Sequence, residues 1–270
     1  MYYILSFSIP LILGLILFKP LSRLLEKSEF TELNFRGKEI PIGMGIHLIL
    51  VFIITILGIG RLIDMKDSSY LLSTGIAFMG FLGIIDDFLG DKHSKGFKGH
   101  IKSLLKGELT TGGLKAIGGF GIAFLLSINM KNTDIGEIIL NTFLIALFAN
   151  IINLFDLRPG RASKAFIFFL LIFAIMLKDN SYYNYILIFL GGIIAYINKD
   201  LKALVMLGDT GANAMGISLG ILAAISLNIE IKIGLLLFLI ILNLVSEFVS
   251  FTKIIERVKI FKFIDELGRK

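Results

Sequence analysis

The stretch Tyr70-Leu-Leu-Ser-Thr-Gly-Ile-Ala-Phe-Met-Gly-Phe-Leu-Gly-Ile-Ile-Asp86-Asp87 decides how the chain is read. Its apolar run is long enough to cross a membrane as a helix. It closes on two adjacent carboxylates. Acids at the edge of a membrane segment are costly and mark a functional site by default. Adjacent acids repel one another, so a cation is the natural third party, and Mg²⁺ favours carboxylate oxygen. The plainer reading is that Asp86 and Asp87 mark the end of a span in the headgroup region. The rest of the chain has to choose between these.

Working outward, 56% of the 270 residues are hydrophobic and the mean hydropathy is +0.85. Apolar runs bounded by charge lie near 2–20, 42–61, 69–88, 113–130, 136–156, 164–178, 183–198, 209–228 and 233–252. An all-α polytopic membrane protein of about nine spans is expected, as a single transmembrane domain over 1–270. The N-terminal run lacks a basic leader and a small-residue cleavage site, so it reads as a retained span. Cysteine is absent, which excludes disulfides, thiolate nucleophiles and Cys-ligated metals. His47, His93 and His100 are too scattered for a His-rich metal site.

The net charge of +6 is explained by topology, and no nucleic-acid partner is expected. Only Arg61, Lys66, Lys131, Lys178 and Lys232 of the 27 basic residues fall on one set of loops. The others fall on the opposite set. This bias places the N-terminus outside and the C-terminus in the cytoplasm. A plasma-membrane location is expected. The tail from Lys253 to Lys270 alternates apolar and charged residues at helical spacing. It fits a helix lying on the inner leaflet as well as a continuation of the last span.

With that sidedness, three polar groups share the inner rim. Asp86 and Asp87 close the third span. Asn150-Ile-Ile-Asn153-Leu-Phe-Asp156 closes the fifth, at a spacing that keeps one helical face. Gly208-Asp209-Thr210-Gly211 opens the eighth. Each has a structural alternative: Asn150 and Asn153 as interhelical glue, Asp209 as a helix cap. Together they point to a shared acidic site. A basic loop with Lys92, Lys95, Lys98, His100, Lys102 and Lys106, and the run Arg158-Pro159-Gly160-Arg161, ring it with cations. Acids able to hold Mg²⁺ and ringed by Lys and Arg suit phosphorylated substrates.

These motifs resemble the polyprenyl-phosphate N-acetylhexosamine-1-phosphate transferase family. It includes the phospho-MurNAc-pentapeptide translocase of peptidoglycan synthesis and the GlcNAc-1-phosphate transferases that begin teichoic-acid and O-antigen synthesis. The resemblance rests on Gly83 to Asp87, on Asn150, Asn153 and Asp156, on Gly208 to Gly211, and on Gly96-Phe97 followed by Lys102. Two features depart from the pattern. The usual Asp-Gly-x-Asp-Gly is replaced by Asp156-Leu157-Arg158-Pro159-Gly160, and no histidine follows His100.

The resemblance implies transfer of a sugar-1-phosphate from a UDP-sugar to a polyprenyl (undecaprenyl) phosphate, with Mg²⁺ as cofactor and UMP released. Its partners would be the donor, the lipid acceptor and membrane lipids, and a homodimer stays open. Asp209 is assigned as metal ligand. Asp86 deprotonates or orients the lipid phosphate beside Asp87, with the two roles exchangeable. Asn153 and Asp156 position the donor or the metal shell, and Asn150 and His100 are further substrate-binding candidates. Lys102 neutralises phosphate; apart from the resemblance, and particular to this sequence, Arg158 and Arg161 are read as a guanidinium fork for phosphate or for an acidic group on the sugar. Two other classes stay open: a catalytically silent relative serving as a binding or scaffold protein, and a secondary transporter. The second is disfavoured because the acids lie at one rim and no internal repeat is visible.

Overall fold

The structure, a computed structural model, describes residues 1–90, 103, 107–131, 133–177 and 181–269. The chain is 79% helical, an all-α polytopic membrane protein. In order come α1 (Tyr2–Lys27), a hairpin of β1 (Thr31–Leu33) and β2 (Glu39–Pro41), α2 (Gly45–Leu62), α3 (Lys66–Leu89), α4 (Thr111–Ile128) and α5 (Ile135–Phe155). Then follow α6 (Arg161–Met176), α7 (Tyr183–Leu201), α8 (Gly208–Ser226), α9 (Ile229–Phe248), α10 (Phe251–Arg257) and α11 (Lys259–Glu266).

Each apolar run becomes a long helix, but they are not equivalent. Among the described residues, α1, α2, α3, α4, α5 and α9 are long and apolar enough to cross a membrane. The 16 residues of α6 extend about 24 Å, short of a bilayer's hydrocarbon thickness. α8 carries Asp209, Thr210, Asn213 and Ser218, and its residues from Thr210 to Ala224 are all buried. A helix sheathed by protein needs no lipid-compatible surface, so its composition follows its neighbours and not the bilayer.

α8 is the axis of the bundle. It packs chiefly against α3 and α5, with α2 and α6 completing the sheath. Small residues set these distances. A Cβ on Gly83 of α3 would lie 2.5 Å from the backbone of Asp209 and Thr210. One on Gly216 would lie 2.5 Å from the carbonyl oxygen of Phe148 in α5. Backbone-to-backbone packing of this kind is what small residues permit between membrane helices. Around α8 lies one apolar core that includes Leu72, Ile76, Leu144, Phe148, Met215 and Leu219. α1 packs on α7 at one side, α4 bridges α3 and α5, and α9 leans on α5.

The hairpin was not expected from sequence. Thr31 pairs with Pro41, Glu32 with Ile40 and Leu33 with Glu39. At its tip the Asn34 side-chain oxygen accepts from the amides of Arg36 (2.9 Å) and Lys38 (3.0 Å), while its amide donates to the Ala203 carbonyl (3.0 Å). The chain ahead of α8 is stitched to it as well. Met206 N donates to Pro41 O at 2.7 Å, and Met44 N to Met206 O at 3.0 Å. The hairpin therefore fixes the approach to Gly208.

Candidate active site

The end of α3, the start of α4 and the start of α8 meet at one point. Gly208 adopts φ +73°, a left-handed turn that starts α8 beside Asp87. The Asp87 carboxylate accepts from Asp209 N (2.8 Å), Thr210 N (3.0 Å) and Thr210 Oγ1 (2.6 Å). It caps α8 from a different helix, because Leu207 at the cap position supplies no side-chain acceptor. Its neighbour has another task. Asp86 Oδ2 accepts from Lys115 Nζ at 2.6 Å, and the same ammonium is bound by Asp209 Oδ2. The sequence left the two aspartates interchangeable; the structure separates them. Asp87 orders the backbone, and Asp86 and Asp209 converge on a cation.

Beside this cluster opens a cavity of about 330 Å³, lined by Asp87, Asp209, Asp156, Asp200, the turn Leu157–Pro159, the hairpin residues Asn34 and Phe35, and the strip from Val205 to Gly208. Asp156 follows the last residue of α5 and so projects from the helix end into the cavity. Asp200, in the last turn of α7, is 3% exposed and accepts from Ser163 Oγ at 2.6 Å. Four acidic side chains in the lining make an opening suited to a ligand that brings its own cations or basic groups.

Each expected site residue can now be placed. Asp86, Asp87, Asp156 and Asp209 lie together. Asn153 is close behind Asp156 in α5, with a buried side-chain oxygen that has no partner among the described residues. Arg158 reaches the cavity but also pairs with Glu256 at 2.6 Å. Asn150 and Arg161 are turned elsewhere. Asn150 donates to Asn243 of α9 at 2.5 Å, which is the interhelical role. Arg161 is 4% exposed and is held by Asp265 and Thr252. It is not part of the cavity lining, so a two-arginine fork is not assembled here. His100 and Lys102 lie outside the described residues.

Lys115, Asp200 and Asn213 escaped the sequence reading. Lys115 was counted with the loop charges, yet it sits inside α4, in the second turn after the Thr110 cap. Asn213 lies four residues after Asp209, hence on the same helical face, and its amide nitrogen is buried without a partner among the described residues.

The donor set bears on a divalent cation. Among the described residues, no group of three or more His, Cys, Asp or Glu side chains closes on one point. The carboxylates of Asp86 and Asp209 do converge, on the Lys115 ammonium. Two carboxylates, with substrate phosphates and water supplying the remaining positions, are the usual protein share of a Mg²⁺ site. The residues fit such an ion.

Fold and site together define a multi-pass membrane protein with a Lys-bridged pair of carboxylates, at the junction of three helices, beside an acidic cavity. A family model for glycosyl transferase family 4 matches residues 69–227, a span that holds Asp86, Lys115, Asp156, Asp200 and Asp209. The chain belongs to that family, and in general terms it is a polyprenyl-phosphate sugar-1-phosphate transferase. A search of curated proteins returned no match.

Proposed function

We propose that the protein transfers a sugar-1-phosphate from a UDP-N-acetylhexosamine-type donor to undecaprenyl phosphate at the cytoplasmic face of the plasma membrane. UMP is released, and the product begins a cell-envelope glycan. The observation that carries this reading is the convergence of Asp86 and Asp209, from α3 and α8, on one cation, with Asp209 also lining the acidic cavity.

Chemically, an oxygen of the lipid phosphate attacks the sugar-linked phosphorus of the donor, and the bond from that phosphorus to the UMP oxygen breaks. Both reactants are anions. A phosphate monoester is largely ionised near neutral pH, so the site needs orientation and charge neutralisation more than a strong base. Asp86 orients the acceptor phosphate through the Lys115 ammonium, which also offsets charge on the transferred phosphoryl group. Asp209 with Asp86 would hold Mg²⁺, which supplies stabilisation of the pyrophosphate and of the leaving UMP. Asp87 keeps Asp209 in place by fixing the first turn of α8. Asp156, Asp200 and Asn153 face the nucleotide end of the donor, with the hairpin as the outer wall.

The test is UMP release by purified protein in detergent with undecaprenyl phosphate and Mg²⁺, offering UDP-GlcNAc, UDP-GalNAc and UDP-MurNAc-pentapeptide separately. Release with one donor is expected, with a loss of at least about 100-fold in Asp209→Asn. Binding of a donor with no release from any would instead indicate a silent relative.

A further inference from the structure

The turn that walls the cavity is gripped from two sides. On one side Gly160, at φ +76°, packs against Leu201 of α7 so closely that a Cβ would collide with it. On the other, the C-terminal segment closes over it. Arg161 Nε donates to Asp265 Oδ1 (2.8 Å) and its Nη2 to Oδ2 (3.0 Å), while Nη1 donates to Thr252 Oγ1 (2.9 Å). Arg269 gives the same carboxylate two more bonds, at 2.8 and 3.2 Å, and its Nε donates to the carbonyl of Pro159 at 3.2 Å. Lys164 Nζ binds the carbonyls of Ile264 (2.8 Å) and Asp265 (2.7 Å), and the rings of Phe155 and Phe251 stack 4.9 Å apart.

Stability alone does not account for this. A buried carboxylate between two guanidiniums stabilises little more than a well-packed apolar cluster of the same volume, because desolvation offsets the attraction. What the charges add is direction. Two planar guanidiniums meet one carboxylate in fixed geometry. One of those guanidiniums leads into α6, and the other touches the cavity wall at Pro159.

We propose that Asp265 is a positioning residue: it clasps the C-terminal segment onto the Leu157–Arg161 turn and thereby sets the width of the cavity and its affinity for the nucleotide-bearing substrate. The proposal rests on the transferase reading for the identity of that substrate, and on geometry alone for the clasp. Asp265 touches neither substrate nor reacting groups, so its removal weakens donor binding while turnover is kept.

The test uses the full chain with Asp265→Asn and, as a milder change, Arg269→Gln, which leaves the Arg161–Asp265 pair intact. Hydrogen exchange reads the amides of Leu157, Arg158, Gly160 and Arg161, UDP serves as the binding probe, and UMP release gives KM and kcat. For Asp265→Asn, exchange in the turn is expected to quicken about tenfold, with exchange in α3 and α8 unchanged. UDP affinity should fall and donor KM should rise by about tenfold, with kcat within about threefold. Arg269→Gln should move the same quantities in the same direction by about threefold. Unchanged exchange in the turn, or a fall in kcat at constant KM, overturns the proposal. If the wild type releases no UMP with any donor, the transferase reading fails separately. Exchange and UDP binding still decide the clasp.

Discussion

Asp87 and Asp265 each accept several hydrogen bonds, but from different kinds of donor. Asp87 takes two backbone amides and a hydroxyl at the start of α8. Asp265 takes four N–H groups from two arginine side chains. Around Asp87 the helices are locked by glycine: Gly83 lies on the Asp209–Thr210 backbone, and Gly208 leaves no room for a Cβ beside the carboxylate. Around Asp265 the long side chains of Arg161, Arg269 and Lys164 carry the geometry. The carboxylate–lysine cluster is thus placed by main chain, which has little freedom, and the cavity turn by side chains, which have more. In the proposed reading, chemistry and substrate fit are then held by separate means in one molecule.

The largest expected break in that contrast is Lys115→Met. It leaves Asp86 and Asp209 facing each other across a partly buried gap without their cation. UMP release should fall by at least about 100-fold, while Mg²⁺ titration should still protect the protein against heat by filling the gap. Loss of that protection would show that the two carboxylates do not form a cation site. Next is Asp87→Ala, which strips the cap from α8. A loss of about 3 kcal/mol is expected from thermal or denaturant unfolding in detergent, together with loss of activity. A variant that lost activity at unchanged stability would make Asp87 a reacting group and not an anchor.

A smaller effect separates the tail. Burial raises the cost of ionising Asp265, but the Arg161 and Arg269 guanidiniums outweigh it and hold the carboxyl well below the usual carboxylate range. A depressed folded-state pKa contributes stability above the unfolded value, about 4, and that contribution is lost as pH falls toward the folded value. Thermal midpoints of wild type and Asp265→Asn should therefore differ most near neutral pH and converge below about pH 4. Parallel curves would contradict the sign. The smallest change is Asn150→Ala, which removes the bond to Asn243 and should cost about 0.6 kcal/mol without altering donor KM. A rise in donor KM there would return Asn150 to the substrate.

Much of this was legible in the chain. The runs ending at Asp86, Asp156 and beginning at Asp209 gave the spans and the converging acids, because charge at the edge of an apolar helix is conspicuous. The division between Asp86 and Asp87 was not. Neighbouring residues on a helix point about 100° apart, and which of them meets α8 is a matter of how α3 is rotated in the bundle. Lys115 was hidden for a related reason: it falls at the start of the expected span 113–130, and loop charge statistics do not say which neighbour a residue near a helix start will face. The hairpin strands have three residues each, too few for an alternating pattern. Arg161 and Asp265 are 104 residues apart, and nothing local to either signals the pair. The motifs thus pointed to Asp86, Asp156 and Asp209, which the fold gathers, but also to Asn150 and Arg161, which it turns elsewhere; Lys115 and Asp200 emerge only from tertiary contacts.

The burial of α8 also bears on how the protein is made. A segment carrying Asp209, Thr210, Asn213 and Ser218 gains little from entering lipid by itself. By the time it leaves the ribosome, α3 and α5 have already been synthesised, and the small residues along α8 match the slot between them. Its membrane insertion is therefore a late assembly step guided by earlier helices. Placed alone between soluble reporters, α8 is expected to integrate poorly, and to integrate well when the chain from α2 onward precedes it.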